Sequence, residues 1–212
     1  MLRESLDRIL ALAGLVLLAP AGAGIALAIV LESGRPVFFR QVRIGRNGRP
    51  FHLWKFRSMV TNSGGAQITS SGDRRITKVG RFIRKYKLDE LPQLWNVLRG
   101  DMNLIGPRPE VPRYVDLDDP AWKAVLSVRP GITDLATLVY RNEEEILAAA
   151  EDSERCYREK VLPEKLSLNR EYIRRRTLGT DLKLLGLTLL YSFAPGGFES
   201  AEIKTRILSN RT

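Results

Sequence analysis

The sequence predicts an α+β protein: an apolar helical segment over residues 1–33, then a domain over 34–212 built from a small β-hairpin and several amphipathic helices. Three observations predict it. Ile9 to Leu31 is a nearly unbroken apolar run. Val37–Ile44 and Phe51–Met59, both rich in aromatic and β-branched residues, flank a Gly45-Arg46-Asn47-Gly48-Arg49-Pro50 turn, the pattern of a hairpin. Beyond them, apolar residues recur at helical spacing.

The apolar run holds about 23 residues, enough at about 1.5 Å per residue to cross a bilayer. Three readings fit it: a signal peptide, a spanning helix, and a re-entrant helix-break-helix. Glu4 and Asp7 before the run, and its continuation to Leu31, count against a signal peptide. Pro20, near its middle, removes a backbone donor and leaves the Val16 carbonyl without its usual partner. In hydrocarbon such a group needs a bend and another partner. Arg3 and Arg8 precede the run, and Arg35, Arg40, Arg43, Arg46 and Arg49 follow it. Basic flanks on both sides favour keeping both ends in the cytoplasm. Proline kinks occur in spanning helices too, so these observations leave spanning and re-entrant readings balanced.

The 212 residues suit one domain with an appendage. The net charge of +10, from 34 Lys+Arg against 24 Asp+Glu, favours an anionic partner: a membrane surface, a phosphorylated substrate or nucleic acid. No recognised nucleic-acid motif accompanies the charge, so nucleic acid is not expected as a partner. Cys156 is the only cysteine, which rules out an intrachain disulfide, and His52 is the only histidine, which disfavours a His-rich metal site or a Ser-His-Asp triad. Nothing in the sequence sets an oligomeric state.

Along the rest of the chain, Thr61–Gly72 reads as a polar, Gly/Ser-rich surface loop. Thr77–Tyr86 reads as a helix with cations on one side and Val79, Phe82, Ile83 and Tyr86 on the other. Trp122–Val128 reads as a short helix, Glu143–Arg158 as one exposed charged helix, and Val161–Arg176 as another. Leu178–Phe193, interrupted by Asp181 and Lys183, reads as an amphipathic helix against the membrane interface or the core.

The chemistry concentrates in Lys87–Pro109. Adjacent carboxylates, Asp89-Glu90, open a short apolar-periodic segment that runs into Pro107-Arg108-Pro109. On spacing alone the pair marks a helix start. The stretch nevertheless closely resembles the core motif of the bacterial sugar transferases, the monotopic phosphoglycosyl transferases. Pro36–Gly45, Trp54–Met59, Arg75-Ile76-Thr77 through Gly80-Arg81, and Arg129–Thr133 resemble that family's blocks in the family's order.

The resemblance implies an enzyme of the bacterial inner membrane, its domain over 34–212 facing the cytoplasm. Residues 1–33 would form a re-entrant helix broken at Pro20, and the amphipathic helices would pack at the membrane interface. Relatives often carry Ser before this proline; here Ala19 stands there, so a hydroxyl that could help satisfy the bend is missing. Asp89 would attack the β-phosphorus of a UDP-sugar and release UMP. A polyprenyl phosphate, such as undecaprenyl phosphate, would then take the phosphosugar from the aspartate. Asp89 and Glu90 would hold Mg²⁺, which offsets repulsion between carboxylate and diphosphate. Lys55, Arg108 and Arg129, with Arg57 and Arg75, would bind substrate, although taken singly each reads as a surface cation. Many relatives continue after Ile132-Thr133 with Gly-Trp-Ala-Gln, whereas here the chain reads Asp134-Leu135-Ala136-Thr137. That departure points to a different sugar pocket lined by Asp134 and Arg141-Asn142-Glu143. The rival reading is a basic membrane-associated binding protein without catalysis.

Overall fold

A computed structural model describes residues 2–60 and 73–193, with Ile203 and Ile207 beyond them. The polar loop expected over Thr61–Gly72 lies outside the described residues. Helix α1 (Leu2–Ser33) leads into a hairpin of β1 (Phe38–Ile44) and β2 (Pro50–Phe56), followed by α2 (Lys78–Lys85) and α3 (Gln93–Arg99). Strand β3 (Asn103–Ile105), α4 (Pro120–Leu126) and β4 (Gly131–Thr133) come next. Five helices follow: α5 (Leu135–Val139), α6 (Glu143–Ala148), α7 (Ser153–Cys156), α8 (Leu162–Arg175) and α9 (Leu178–Phe193).

The hairpin forms where expected, antiparallel from Phe38↔Phe56 to Ile44↔Pro50. Asn47 and Gly48 turn the chain with φ of 57° and 75°. Helix α2 also matches its sequence pattern. Thr77 caps it, its hydroxyl accepting the Gly80 N–H at 2.8 Å, and Ile83 is buried against α1 and β2. Phe82 departs from expectation: it is exposed and tilts against the Tyr86 ring at 5.1 Å.

Helix α1 runs unbroken from Leu2 to Ser33, so the expected break at Pro20 does not interrupt it. The residues that turn inward, Glu4, Asp7, Ala11 and Gly14, then Gly22, Ile25 and Ile29, fall every three or four positions, tracing one face of a helix. Ala11 packs with Leu53, Val97 and Met102, and Ile29 packs with Phe56 and Ile83. Between these contacts, residues 16–21 are exposed, Leu17 at 79%. The apolar stripe away from the domain therefore has no protein cover.

Strands β3 and β4 pair in parallel, Asn103↔Gly131 and Ile105↔Thr133. Their backbones meet so closely that a Cβ on Gly131 would lie 2.1 Å from the Gly106 nitrogen. Only glycine allows that approach, and it places the turn after β3 against the end of β4. The charged segment expected as one helix over Glu143–Arg158 is broken into α6 and α7. Asp152 caps the new start by accepting the Arg155 N–H at 2.9 Å, and Ser153 donates to the Leu147 carbonyl at 2.7 Å. On one straight helix Leu147 and Tyr157 would lie about 15 Å apart along the axis; the break lets Leu147, Tyr157 and Val161 share one buried cluster with Val111 and Tyr114. Helix α9 buries Leu184 and Tyr191 while Leu178, Leu182, Leu189 and Leu190 stay exposed, as an amphipathic helix does.

Candidate active site

Asp89 and Glu90 sit in a single 3₁₀ turn, Leu88–Glu90, which leads through Pro92 into α3. Lys87, just before it, has φ 58°. A left-handed residue with a side chain is an uncommon, strained conformation of the kind that gathers at functional sites. Helix α3 fixes this turn against β2 through Asn96. Its amide donates to the His52 carbonyl at 2.8 Å and its oxygen accepts the Trp54 N–H at 3.1 Å. Next along β2, Lys55 reaches Glu90 Oε1 at 3.2 Å.

Arg108 arrives from the turn after β3. Its fork donates to both Glu90 oxygens, Nη1 to Oε2 at 3.1 Å and Nη2 to Oε1 at 2.5 Å, with a longer bond to the Ile132 carbonyl at 3.4 Å. This is the bidentate geometry that makes arginine a carboxylate and phosphate reader. The backbone N–H of Arg108 donates to Asp134 Oδ2 at 3.0 Å, and Asp134 Oδ1 accepts the Thr137 N–H at 2.6 Å.

The two neighbouring carboxylates are buried alike and behave oppositely. Burial pushes the Asp89 carboxyl upward; Lys55 pulls it down and the Glu90 charge pushes it up again, and the net shift is upward. Burial also pushes Glu90 up, but Arg108, Lys55 and Lys87 outweigh it and hold Glu90 well below the usual carboxylate range. Glu90 is thus a fixed anion between two cations. Asp89 Oδ1 is buried without a hydrogen-bond partner. One helical turn on, the wholly buried Gln93 amide lacks partners at both ends. Buried polar groups are normally satisfied, which sets these atoms apart from the rest of the site.

The structure brings Lys55, Glu90 and Arg108 together beside Asp89. It directs three other expected substrate cations elsewhere. Arg57 is 5% exposed and its guanidinium binds the chain leaving α1: the Ser33 hydroxyl at 2.7 Å, the Gly34 carbonyl at 2.6 Å and the Arg35 carbonyl at 3.3 Å. Arg75 turns its fork onto Asp73, at 2.6 Å. Arg129 pairs with Glu4 of α1 at 2.8 Å. Asp134 and Arg141–Glu143, expected around a sugar pocket, are spread among different contacts. Asp134 is fully buried, Arg141 lies over the Tyr191 ring at 5.6 Å, and Glu143 pairs with Lys165.

A supporting network went unread in the sequence. Arg43 of β1 donates to the Pro109 carbonyl at 3.1 Å and to Glu110 Oε1 at 3.2 Å, and Glu110 also accepts the Tyr157 hydroxyl. It braces the far side of the Pro107-Arg108-Pro109 turn. Glu110 directly after that turn, and Arg43 within the hairpin block, were the signals available.

The sequence profile of the bacterial sugar transferases matches residues 1–194. Among curated proteins, a UDP-N-acetylgalactosamine-undecaprenyl-phosphate N-acetylgalactosaminephosphotransferase of Aeromonas hydrophila is 45% identical over 66% of this chain and 34% of its own length. UDP-glucose:undecaprenyl-phosphate glucose-1-phosphate transferases are similar too. That of Escherichia coli is 36% identical over 91% of this chain and 40% of its own, and that of Caulobacter vibrioides 37% over 86% and 66%. The chain thus spans about a third to two thirds of the length of these relatives. With a match that takes in the Asp89-Glu90 turn, Arg108 and the apolar helix alike, the chain belongs to the bacterial sugar transferase family.

Proposed function

We propose that the chain transfers a sugar 1-phosphate from a UDP-sugar to a polyprenyl phosphate such as undecaprenyl phosphate, in two steps through Asp89. In the first, an Asp89 oxygen bonds to the β-phosphorus, the bond from that phosphorus to the bridging oxygen breaks, and UMP leaves with the electron pair. In the second, the lipid phosphate oxygen attacks the same phosphorus and Asp89 departs as a carboxylate. The product is a polyprenyl diphosphate sugar, the first membrane intermediate of a glycan. The observation that carries this reading is the division between the carboxylates. Glu90 is committed to Arg108 and Lys55, while buried Asp89 has an oxygen that no hydrogen bond engages.

Each side chain then has a task. Lys55 and Lys87 favour the anionic, nucleophilic form of Asp89. Arg108 offers a fork of the shape that binds phosphate, held in readiness by Glu90. Magnesium fits this site in one arrangement. Among the described residues, no group of three or more metal-ligating side chains forms a protein cage. Asp89 has one unpartnered oxygen, and Glu90 would add a ligand only on release from its cations. Such a donor set suits an ion held chiefly by diphosphate oxygens and water, as magnesium often is. When bound, it would neutralise charge on the phosphates.

The contacts at both ends of α1 support the membrane arrangement proposed here. Arg3 pairs with Asp181 at 3.5 Å and Glu4 with Arg129, while Glu32 at the other end accepts the Lys78 and Val79 N–H groups at 2.7 and 2.9 Å. Both ends contact one domain, which supports a helix that enters one leaflet without crossing, with the domain on the cytoplasmic face. Its bare apolar stripe and that of α9 would meet lipid, setting the site where a lipid phosphate meets a soluble nucleotide.

The test is nucleotide release by nanodisc-embedded protein given Mg²⁺, undecaprenyl phosphate and a panel of UDP-sugars, with Asp89→Asn as control. UMP released with one sugar and lost in the variant supports the reading and names the donor. UDP in place of UMP overturns it. Silence from folded protein across the panel, with membrane binding intact, favours the non-catalytic binding protein.

A further inference from the structure

We infer that Asp134 is a positioning residue for Arg108, setting the aim of its guanidinium through the backbone of the Pro107-Arg108-Pro109 turn. The inference rests on the proposed role of Arg108 in phosphate binding. Asp134 is 0% exposed; its carboxylate accepts two backbone N–H groups, and the Arg108 charge is its electrostatic neighbour. A buried carboxylate is costly unless it is well hydrogen-bonded, so its two bonds define what it is there to hold. One oxygen caps α5 through the Thr137 N–H; the other takes the Arg108 N–H across 26 residues of sequence. Capping alone needs only a serine or asparagine oxygen. The second bond is the part that capping does not explain.

The surrounding contacts make that bond a lever. Gly131 N donates to the Pro107 carbonyl at 3.0 Å, and Gly106 N donates to the Thr133 carbonyl at 3.0 Å. These bonds fix the turn on the side of Pro107. Arg43 fixes it at Pro109. Between two prolines, which themselves donate no N–H, the Arg108 amide is the only backbone donor of the turn. Asp134 holds that donor while the guanidinium reaches Glu90, so the side chain leaves the turn from a fixed origin. With the amide released, the fork would sample other directions, and a diphosphate would have to restore the order on binding.

Two variants separate positioning from capping. Asp134→Ser keeps a cap for α5 and cannot reach Arg108. Asp134→Asn keeps the volume and a capping oxygen but turns its NH₂ toward the Arg108 N–H. Asp152→Ala removes the cap of α7 and controls for general loss of stability. Amide hydrogen exchange reads the backbone directly and needs no turnover: exchange at Arg108 should accelerate in both variants while Thr137 stays protected. In steady-state assays KM for the UDP-sugar should rise about tenfold in both, with kcat changed far less and with no such rise in Asp152→Ala. Unchanged Arg108 exchange overturns the inference, as does a loss in kcat and thermal midpoint that Asp152→Ala reproduces. Faster Arg108 exchange in a protein whose wild type releases no UMP would uphold the backbone coupling and refute the proposed reaction instead.

Discussion

Glu90 takes both arms of the Arg108 fork, at 3.1 and 2.5 Å, while Asp89, its neighbour in the same 3₁₀ turn, leaves one buried oxygen without a partner. Two carboxylates one residue apart therefore have different work, and the difference comes from the cations each one meets. Side chains of successive residues in such a turn point in different directions. Glu90 points toward β2 and the β3–β4 edge, where Lys55 and Arg108 stand.

Asp89→Asn should cut turnover at least about a thousandfold, the scale of removing a nucleophile. It should also stabilise the fold at neutral pH. Burial raises the Asp89 carboxyl above its unfolded value, so the folded state holds its proton more tightly. Stability from this group is present at low pH and is lost as pH rises through the raised value. Thermal midpoints of the variant should exceed wild type near pH 7 and converge with it in acid.

Glu90→Gln should do the reverse. It leaves Arg108 and Lys55 partly buried without their anion, at a cost of about 3–5 kcal/mol. The wild-type carboxyl is held below its unfolded value, so its contribution is present above that value and is lost as pH falls through the folded one. Urea unfolding from about pH 7 down to pH 3 should show the gap between wild type and variant closing.

Arg57→Lys should weaken the fold rather than the reaction. Its fork ties four acceptors of the α1 exit, the Ser33 hydroxyl and carbonyl and the Gly34 and Arg35 carbonyls, to the end of β2, and lysine cannot span them. A loss of about 1.5–3 kcal/mol is expected by denaturant titration, with KM for the donor within about twofold of wild type. A large rise in KM without loss of stability would return Arg57 to the substrate site.

Leu17→Asp should move the protein from membrane pellet to supernatant, because a charge in hydrocarbon costs about 2.5–3.5 kcal/mol and Leu17 is 79% exposed. In a Cys156→Ser background, single cysteines replacing Leu6 and Arg35, on either flank of the apolar run, should both react with an impermeant reagent from the cytoplasmic side. Labelling from opposite sides would show a spanning helix.

The hairpin, α2 and the carboxylate pair were legible because each is local: a turn between β-rich runs, an amphipathic stretch, two acids before a proline. The Glu90–Arg108 fork was not, since it depends on β3 and β4 pairing across 25 intervening residues, Ile105 to Gly131, through two three-residue strands too short to show a period. By spacing Lys55 and Arg57, two apart on one strand run, share a face. The structure separates them because β2 ends at Phe56, and Arg57 turns with the chain toward the end of α1. The unbroken path of α1 through Pro20 was also hidden: the proline costs one backbone bond, while inward contacts at Ala11 and Gly14 and at Gly22 and Ile29 hold both halves against the domain. Asp134 looked like a pocket residue and is a buried strut.

The most direct test of the central claim is single-turnover analysis without lipid acceptor, using the matching UDP-sugar. UMP should appear as a burst equal to the enzyme present, and mass spectrometry should find a sugar-phosphate adduct on the peptide carrying Asp89, absent in Asp89→Asn. UMP release that requires the acceptor, with no adduct at any time, would contradict the account and assign Asp89 a different task.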